Sequence, residues 1–321
     1  MIVYLPLEHI EQRYTTHLDR DILAYLKQND IQHIYLTPNV LSNEIKNGSF
    51  LDADNTIYRQ FSQFMQLIEG LLNGTIPKDS TLFVSDIWNF GILCIPYLNF
   101  FSNYNLKVTG VLHAGSFTDT DFVRQMERHY KGMEDIIFDI CDKIFVGSEF
   151  IKEDILRKRF VHRDKIEVTG LPLDYLGMNQ FKNNRPKEDI VIFNGRNVDE
   201  KQPYLFDLLQ TKVRKYQFIN TQDLRLSKEA YYHLLSKSKV VVSFALQENF
   251  GYGIQEAVYL GCEPVLPNRL CYVEQFKKSA LYDTFDDCVF MVEKKMEKPG
   301  QHYKQPESRS NNNQIFKKWF Q

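Results

Sequence analysis

The stretch from Val240 to Phe276, VVVSFALQENFGYGIQEAVYLGCEPVLPNRLCYVEQF, constrains the fold of this 321-residue chain more than any other. It begins with a largely apolar, β-branched run, Val240-Val241-Val242-Ser243-Phe244, the pattern of a buried strand. A polar turn follows at Gln247-Glu248-Asn249-Phe250-Gly251. Ile254, Ala257, Val258 and Leu260 then recur at helical spacing, and Gly261 ends the helix. Pro264-Val265-Leu266 reads as the next strand. Strand, glycine-bearing loop, helix and strand make up half of a doubly wound α/β unit.

The turn carries the chemistry. Gly251 and Gly253 flank the helix start, where backbone N–H groups lack intrahelical partners and a partial positive charge suits a phosphate. Glu248 and Glu256 are expected to face the crevice at the carboxyl end of the sheet. Carboxylates accept hydrogen bonds from hydroxyls. Acids at an ordinary solvated helix start are the competing explanation. A ligand with both hydroxyls and phosphate, a nucleotide sugar, accounts for the whole string.

Composition narrows the classes. Hydrophobic residues make up 43% of the chain, enough to bury cores in two domains. A net charge of −2 provides no global basic field for nucleic acid. The five cysteines, Cys94, Cys141, Cys262, Cys271 and Cys288, form no C-x-x-C pair and read as reduced thiols of a cytoplasmic protein. No apolar run is long enough to span a membrane, so no membrane insertion is expected. The opening MIVYLPLE lacks the features of a signal peptide.

The first half alternates strands and helices, with strands predicted at Ile2–Leu5, Ile34–Leu36, Leu82–Val84, Val108–Leu112, Ile144–Ser148 and Ile166–Val168. Helices are predicted over 57–72 and 122–139. His113 follows one strand and precedes Ala114-Gly115-Ser116; Asp86 ends another, before Trp88. A structural histidine and a helix cap compete with functional roles at these positions. Glu8 and Arg13 lie in the first loop. Arg13 suits a phosphate, and Glu8 a hydroxyl. Lys152, Arg157, Lys158, Arg159, His162, Arg163 and Lys165 form a basic cluster. It reads as a solvated face, with contact to a nucleic-acid backbone as the alternative.

Gly170-Leu171-Pro172 breaks the pattern, which divides the chain into one domain over 1–170 and a second over 171–300. The tail, 301–321, is expected to pack back on the first domain. After the strand Ile190–Phe193 come Gly195-Arg196 and, five residues after the arginine, Lys201.

Taken together, Gly-Arg-x4-Lys at 195–201 and Glu-x7-Glu at 248–256 resemble the signature of retaining glycosyltransferases of the GT-B fold, two Rossmann-like domains facing a cleft. The resemblance implies that Arg196 and Lys201 neutralise the donor diphosphate. Glu248 with the backbone of Asn249, Phe250 and Gly251 would hold the sugar, and Tyr252, Gly253 and Glu256 would complete the donor site, with Glu256 on the ribose. His113 would reach across from the first domain. The activity implied is a hexosyl- or pentosyltransferase using a nucleotide sugar such as a UDP sugar, with no cofactor and no metal.

Many relatives carry a glycine-rich loop where this chain has Pro6-Leu7-Glu8. The string PLE-x-I-x-x-RYT resembles the amino termini of bacteriophage-encoded glycosyltransferases. That likeness points to hydroxymethylated pyrimidine in phage DNA as acceptor. An envelope glycan or lipid-linked acceptor stays open, as does a non-catalytic binding protein of the same fold.

Overall fold

The computed structural model describes residues 1–8, 14–41, 52–182, 186–297 and 311–321. The first half runs β1 (Ile2–Leu5), α1 (Tyr14–Gln28), β2 (His33–Tyr35), α2 (Ala53–Asn73), β3 (Thr81–Val84), α3 (Ile95–Ser102), β4 (Lys107–Leu112), α4 (Glu127–Ile140), β5 (Lys143–Val146), α5 (Glu149–Lys158) and β6 (Ile166–Val168). The second runs α6 (Tyr175–Asn179), β7 (Glu188–Phe193), α7 (Pro203–Lys212), β8 (Gln217–Asn220), α8 (Lys228–Lys237), β9 (Ser238–Val242), α9 (Tyr252–Tyr259), β10 (Glu263–Pro267), α10 (Tyr272–Gln275), β11 (Leu281–Tyr282), α11 (Phe285–Glu297) and α12 (Asn312–Phe320).

Two sheets result, with strand orders β2-β1-β3-β4-β5-β6 and β11-β10-β9-β7-β8, and every pairing is parallel. Helices cover both faces of each sheet. In the first, Tyr4, Phe83 and Phe145 face α1 and α12, while Val3, Leu82 and Val84 face α2 to α5. In the second, Ile192 and Val241 share the first core with α8 and α9, whereas Val191, Val240 and Val242 pack on α7 and α11. One hydrophobic cluster therefore runs through both sheets.

The strand order decides where a ligand can bind. In each sheet the chain goes first to one side of the leading strand and then to the other. The order reverses between β1 and β3 in the first sheet and between β7 and β9 in the second. Loops leave such a point in opposite directions and open a crevice at the strands' carboxyl ends.

Several predicted elements differ in detail. The strand expected to reach Ser148 ends at Val146, and Ser148 caps α5 instead. The helix expected over 122–139 is split. Asp121 accepts from the Val123 N–H and starts a 3-10 turn, Phe122–Met126, before α4 begins at Glu127. The strand expected to reach Phe244 ends at Val242, where the Ser243 hydroxyl turns to the Ala245 N–H. Among the described residues, no helix is long and apolar enough to cross a membrane.

The carboxyl-terminal helix closes on the first sheet. Ile315, Phe316 and Trp319 are buried. The Trp319 ring lies 5.4 Å from Phe83 and 6.0 Å from Phe145, and its Nε1 donates to Thr169 Oγ1 at 3.0 Å. Trp319→Ala should lower unfolding free energy by about 3–5 kcal/mol, the cost of emptying an aromatic site. Chemical denaturation monitored by circular dichroism checks this; an unchanged midpoint would show that α12 adds nothing to the core.

Candidate functional site

Among the described residues, the proposed site residues lie at the two crevices or beside them. Gly251 starts α9 with a φ of 79°, a left-handed conformation that favours glycine. A Cβ there would also press on the Tyr272 ring at 3.3 Å. Gly253 lies so close to Asn194 that a Cβ would come within 2.9 Å of the amide nitrogen. That amide donates to the Gly253 carbonyl at 2.6 Å and to the Tyr231 hydroxyl at 3.0 Å. The loop after β7 and the tip of α9 are thus locked together.

Glu248 bridges this tip to the cation loop. Its Oε1 accepts the Gly251 N–H at 3.1 Å, and its Oε2 meets Lys201 Nζ at 3.1 Å. Lys201 is buried and also donates to the Gln247 carbonyl. Arg196 is exposed and pairs with Glu200 at 2.8 Å. The two cations expected on one diphosphate are therefore each held by a carboxylate in this structure. Asp121, on the first half, feels both: burial raises its carboxyl, while the Val123 N–H and the charges of Arg196 and Lys201 lower it.

Asn249 ties the halves together. Its amide donates to the His113 carbonyl at 2.7 Å, and its own carbonyl accepts from Ser148 Oγ at 2.7 Å. Glu274, on α10, accepts from the N–H groups of Glu149 and Phe150, both at 3.0 Å, and so caps α5 from across the cleft. The Phe250 side chain is buried against Gly147 and Leu171, which leaves its backbone, the part assigned to the sugar, to meet a ligand.

Glu256 departs from expectation. Its side chain is 4% exposed instead of open to the crevice. Lys228 Nζ reaches Oε1 at 2.7 Å, and the Tyr232 hydroxyl reaches the same oxygen at 3.2 Å. Both partners come from α8, which packs on α9. The sequence gives no sign of this pairing, because the partners are 28 and 24 residues away.

On the first half, His113 follows β4 and its Nε2 lies 3.0 Å from the Ser85 carbonyl. A carbonyl only accepts, so Nε2 carries the proton. The Tyr14 ring lies 4.9 Å from His113 and stacks on Tyr252 at 4.8 Å and 8°, filling the space between the halves. Arg13 lies outside the described residues.

Glu8, Tyr14, Arg59, Asp86, Trp88 and His113 line a cavity of about 130 Å³ at the first switch point. Buried Arg59 meets Glu8 at 3.5 Å and the Pro6 carbonyl at 3.0 Å. Two of the cavity's loops are fixed from behind by Glu134. This fully buried carboxylate accepts Trp88 Nε1 at 3.0 Å and the Ser116 N–H at 2.6 Å, and pairs with Arg159 at 2.7 Å.

Arg159 thus leaves the basic cluster read from sequence. Most of the remainder is also paired: Arg157 and Lys158 with Asp154, Arg163 with Glu153 and Lys165 with Asp139. Asp-x-Asp strings occur at 19–21, 52–54 and 119–121. Five of the six carboxylates are engaged: Asp19 by Tyr4, Asp21 by Arg20, Asp52 as the α2 cap, Asp119 by Lys158 and Asp121 by the Val123 N–H. Among the described residues no cluster of three histidine, cysteine or acidic ligands occurs.

Burial pushes the Asp86 carboxyl up to about 7, and the Glu8 charge adds to the rise against the Trp88 N–H and Arg59. The folded state then holds a proton that the unfolded chain has lost. Asp86 costs no stability below its ordinary value near 4. It costs progressively more as pH rises from there to about 7. Relative to the parent, Asp86→Asn should therefore gain stability over that window and level off above it. Denaturation at several pH values reads the difference; a pH-independent difference would place the carboxyl at its ordinary value.

No protein-family model matches the chain. A tRNA-queuosine α-mannosyltransferase of Drosophila melanogaster is 41% identical over 59 residues, which cover 18% of this chain and 16% of that protein. Three solved structures align over nearly the full length. Sucrose-phosphate synthase from Thermosynechococcus elongatus has a TM-score of 0.66 at 11% identity, covering 99% of this chain and 94% of that one. A UDP-forming α,α-trehalose-phosphate synthase from Burkholderia vietnamiensis has a TM-score of 0.58 at 11% identity, with the same coverages of 99% and 94%. Anabaena HepE in complex with UDP and glucose also has 0.58, at 12% identity, covering 100% of this chain and 95% of that one. At such identities the likeness is one of fold, and the fold is GT-B: two parallel α/β domains of the kind glycosyltransferases use.

Proposed function

We infer that this chain is a glycosyltransferase that moves a sugar from a nucleoside-diphosphate sugar to an acceptor hydroxyl with retention of configuration. The observation that carries the reading is the joint at Glu248, where one carboxylate couples Lys201 to the tip of α9 opposite His113. A diphosphate at that tip meets the first-turn N–H groups of α9 and replaces Glu248 as the partner of Lys201. Arg196 swings from Glu200 to join it. Glu248, released, accepts hydroxyls of the sugar, with His113 on the other side.

In the reaction the bond from the anomeric carbon to the diphosphate oxygen breaks. A bond to the acceptor oxygen forms on the same face. The acceptor's proton passes to the departing diphosphate. Charge grows on that leaving group, where the cations and the helix tip stabilise it in a site screened from water. No step in this scheme calls on a metal or a cofactor.

The acceptor we propose is a hydroxyl on a modified nucleoside of a nucleic acid, bound in the cavity of Glu8, Asp86 and Trp88. Its volume of about 130 Å³ is on the scale of a single small ring. The partial likeness to an enzyme named for a tRNA nucleoside and the amino-terminal string both favour a nucleoside. The paired basic cluster leaves the cavity, and not α5, as the recognition element.

Arg196→Ala and Lys201→Ala should each lower turnover roughly 100-fold, the loss typical of one group that stabilises a leaving charge. The assay incubates the protein with UDP and GDP sugars and, in separate arms, hydroxymethylpyrimidine DNA, bulk tRNA and free glycans, followed by nucleoside mass spectrometry. NMR of the product reads the anomeric configuration. Turnover unaffected by either substitution would remove the phosphate assignment; an inverted product would remove retention.

A further inference from the structure

The inner face of α2 carries Arg59, Gln60 and Gln63, all buried. They hold the loops of the first crevice. Arg59 Nη1 and Gln63 Nε2 donate to the Pro6 carbonyl, both at 3.0 Å, and Gln60 Nε2 donates to the Trp88 carbonyl at 2.9 Å. The outer face carries Tyr58, Phe61, Met65, Ile68 and Leu72, spaced 3, 4, 3 and 4 residues apart. Ile68 is half-buried, and the other four are 43% to 76% exposed. A surface helix ordinarily has its apolar stripe inside and its polar residues outside. The 3-10 turn Phe90–Cys94 packs on α2 and leads into α3, which exposes Tyr97, Phe100 and Phe101 by 67% to 80%. The Phe101 ring lies 4.7 Å from Tyr97 and 4.9 Å from Phe100.

Area and charge select what covers this face. At about 200 Å² for each large apolar side chain, the exposed fractions on the two helices amount to roughly 900 Å². The largest apolar patch of a typical monomer is about 300–600 Å², and a standard interface takes about 800 Å² from each partner. Tyrosine, phenylalanine and methionine are the residues that interface cores favour. From Asp52 to Pro77 the one basic residue is Arg59, which is buried, whereas Asp54 and Glu69 are exposed. No residue of α3 is charged. Such a face repels an anionic membrane or a nucleic acid. The stripe is also symmetric about Met65: Phe61 and Ile68 lie one turn to either side, Tyr58 and Leu72 two turns. A two-fold axis at Met65, with the helices antiparallel, sets apolar against apolar along the whole stripe. It also opposes the helix dipoles and brings Asp52 and Asp54 toward the partner's Lys78, which follows the end of α2. Parallel pairing would instead set Asp54 and Glu69 against their own copies.

We propose that this chain forms a two-fold dimer in which α2 of one copy packs antiparallel on α2 of a second across Met65, flanked by the aromatic residues of α3. The pairing covers the outer face of the helix whose inner face holds the Pro6 and Trp88 loops. The second copy thus braces a wall of the first-domain cavity from outside.

Sedimentation velocity of the full chain at micromolar concentrations should report twice the mass of one chain. Met65→Glu and Leu72→Glu should each weaken the dimer roughly 100-fold, the loss expected for a central interface side chain. Both side chains are exposed in the single chain, so the variants should keep the parent's circular dichroism. Met65→Cys, on the axis, should give a disulfide-linked dimer under mild oxidation, above the background set by the parent's own five cysteines. Tyr58→Cys should not, because antiparallel packing holds the two copies of that position about 21 Å apart along the seam. A monomeric parent, a dimer that both glutamates leave intact, no linkage through Met65→Cys, or equal linkage through Tyr58→Cys would each overturn the proposal. A monomer that binds vesicles of anionic phospholipid would assign the face to a membrane instead.

Discussion

Glu248 holds together the parts on which the cleft depends. Its carboxylate is shared between a helix-tip N–H at one oxygen and the Lys201 ammonium at the other. Without a ligand, a buried ammonium beside a helix start needs an anion, and Glu248 supplies it. On the proposed function, a diphosphate would take the place of Glu248 beside a cation that the fold already holds there.

The two halves meet around this joint through directional contacts as well as apolar packing. Asn249 touches both the His113 carbonyl and Ser148, and Glu274 caps a helix belonging to the other sheet. Arg20 of α1 pairs with Asp174 of the linker, and α12 crosses back to bury Trp319 on Phe83 and Phe145. Most of these bonds use exposed or half-buried polar groups, which exchange readily with water. The buried Glu134–Arg159 pair has a different role. It lies within the first half and fixes the loops of the cavity.

Much of the architecture was legible because parallel strands buried on both faces have a plain signature. The run Val240-Val241-Val242 and the strand Ile190–Phe193 could be placed from composition alone. Gly251 could be placed at a helix start because residues at helical spacing follow it. His113 and Asp86 were found at strand ends because each follows an apolar run, and the sheet order brings those ends together. What could not be read depends on contacts between distant segments. Lys228 and Tyr232 resemble ordinary residues of an amphipathic helix until α8 packs on α9 and brings them to Glu256. Arg159 looked like one more solvated charge, but its guanidinium is buried against Glu134. Tyr14 gave no sign in sequence of a ring stacked between the domains.

The most direct measurement is a crystal structure of the chain with a bound nucleoside diphosphate. The account predicts the distal phosphate at the N–H groups of Tyr252 and Gly253, with Lys201 turned from Glu248 onto it and Arg196 within ion-pair distance. A nucleotide bound away from this loop, or one that leaves the Lys201–Glu248 pair intact, would contradict it.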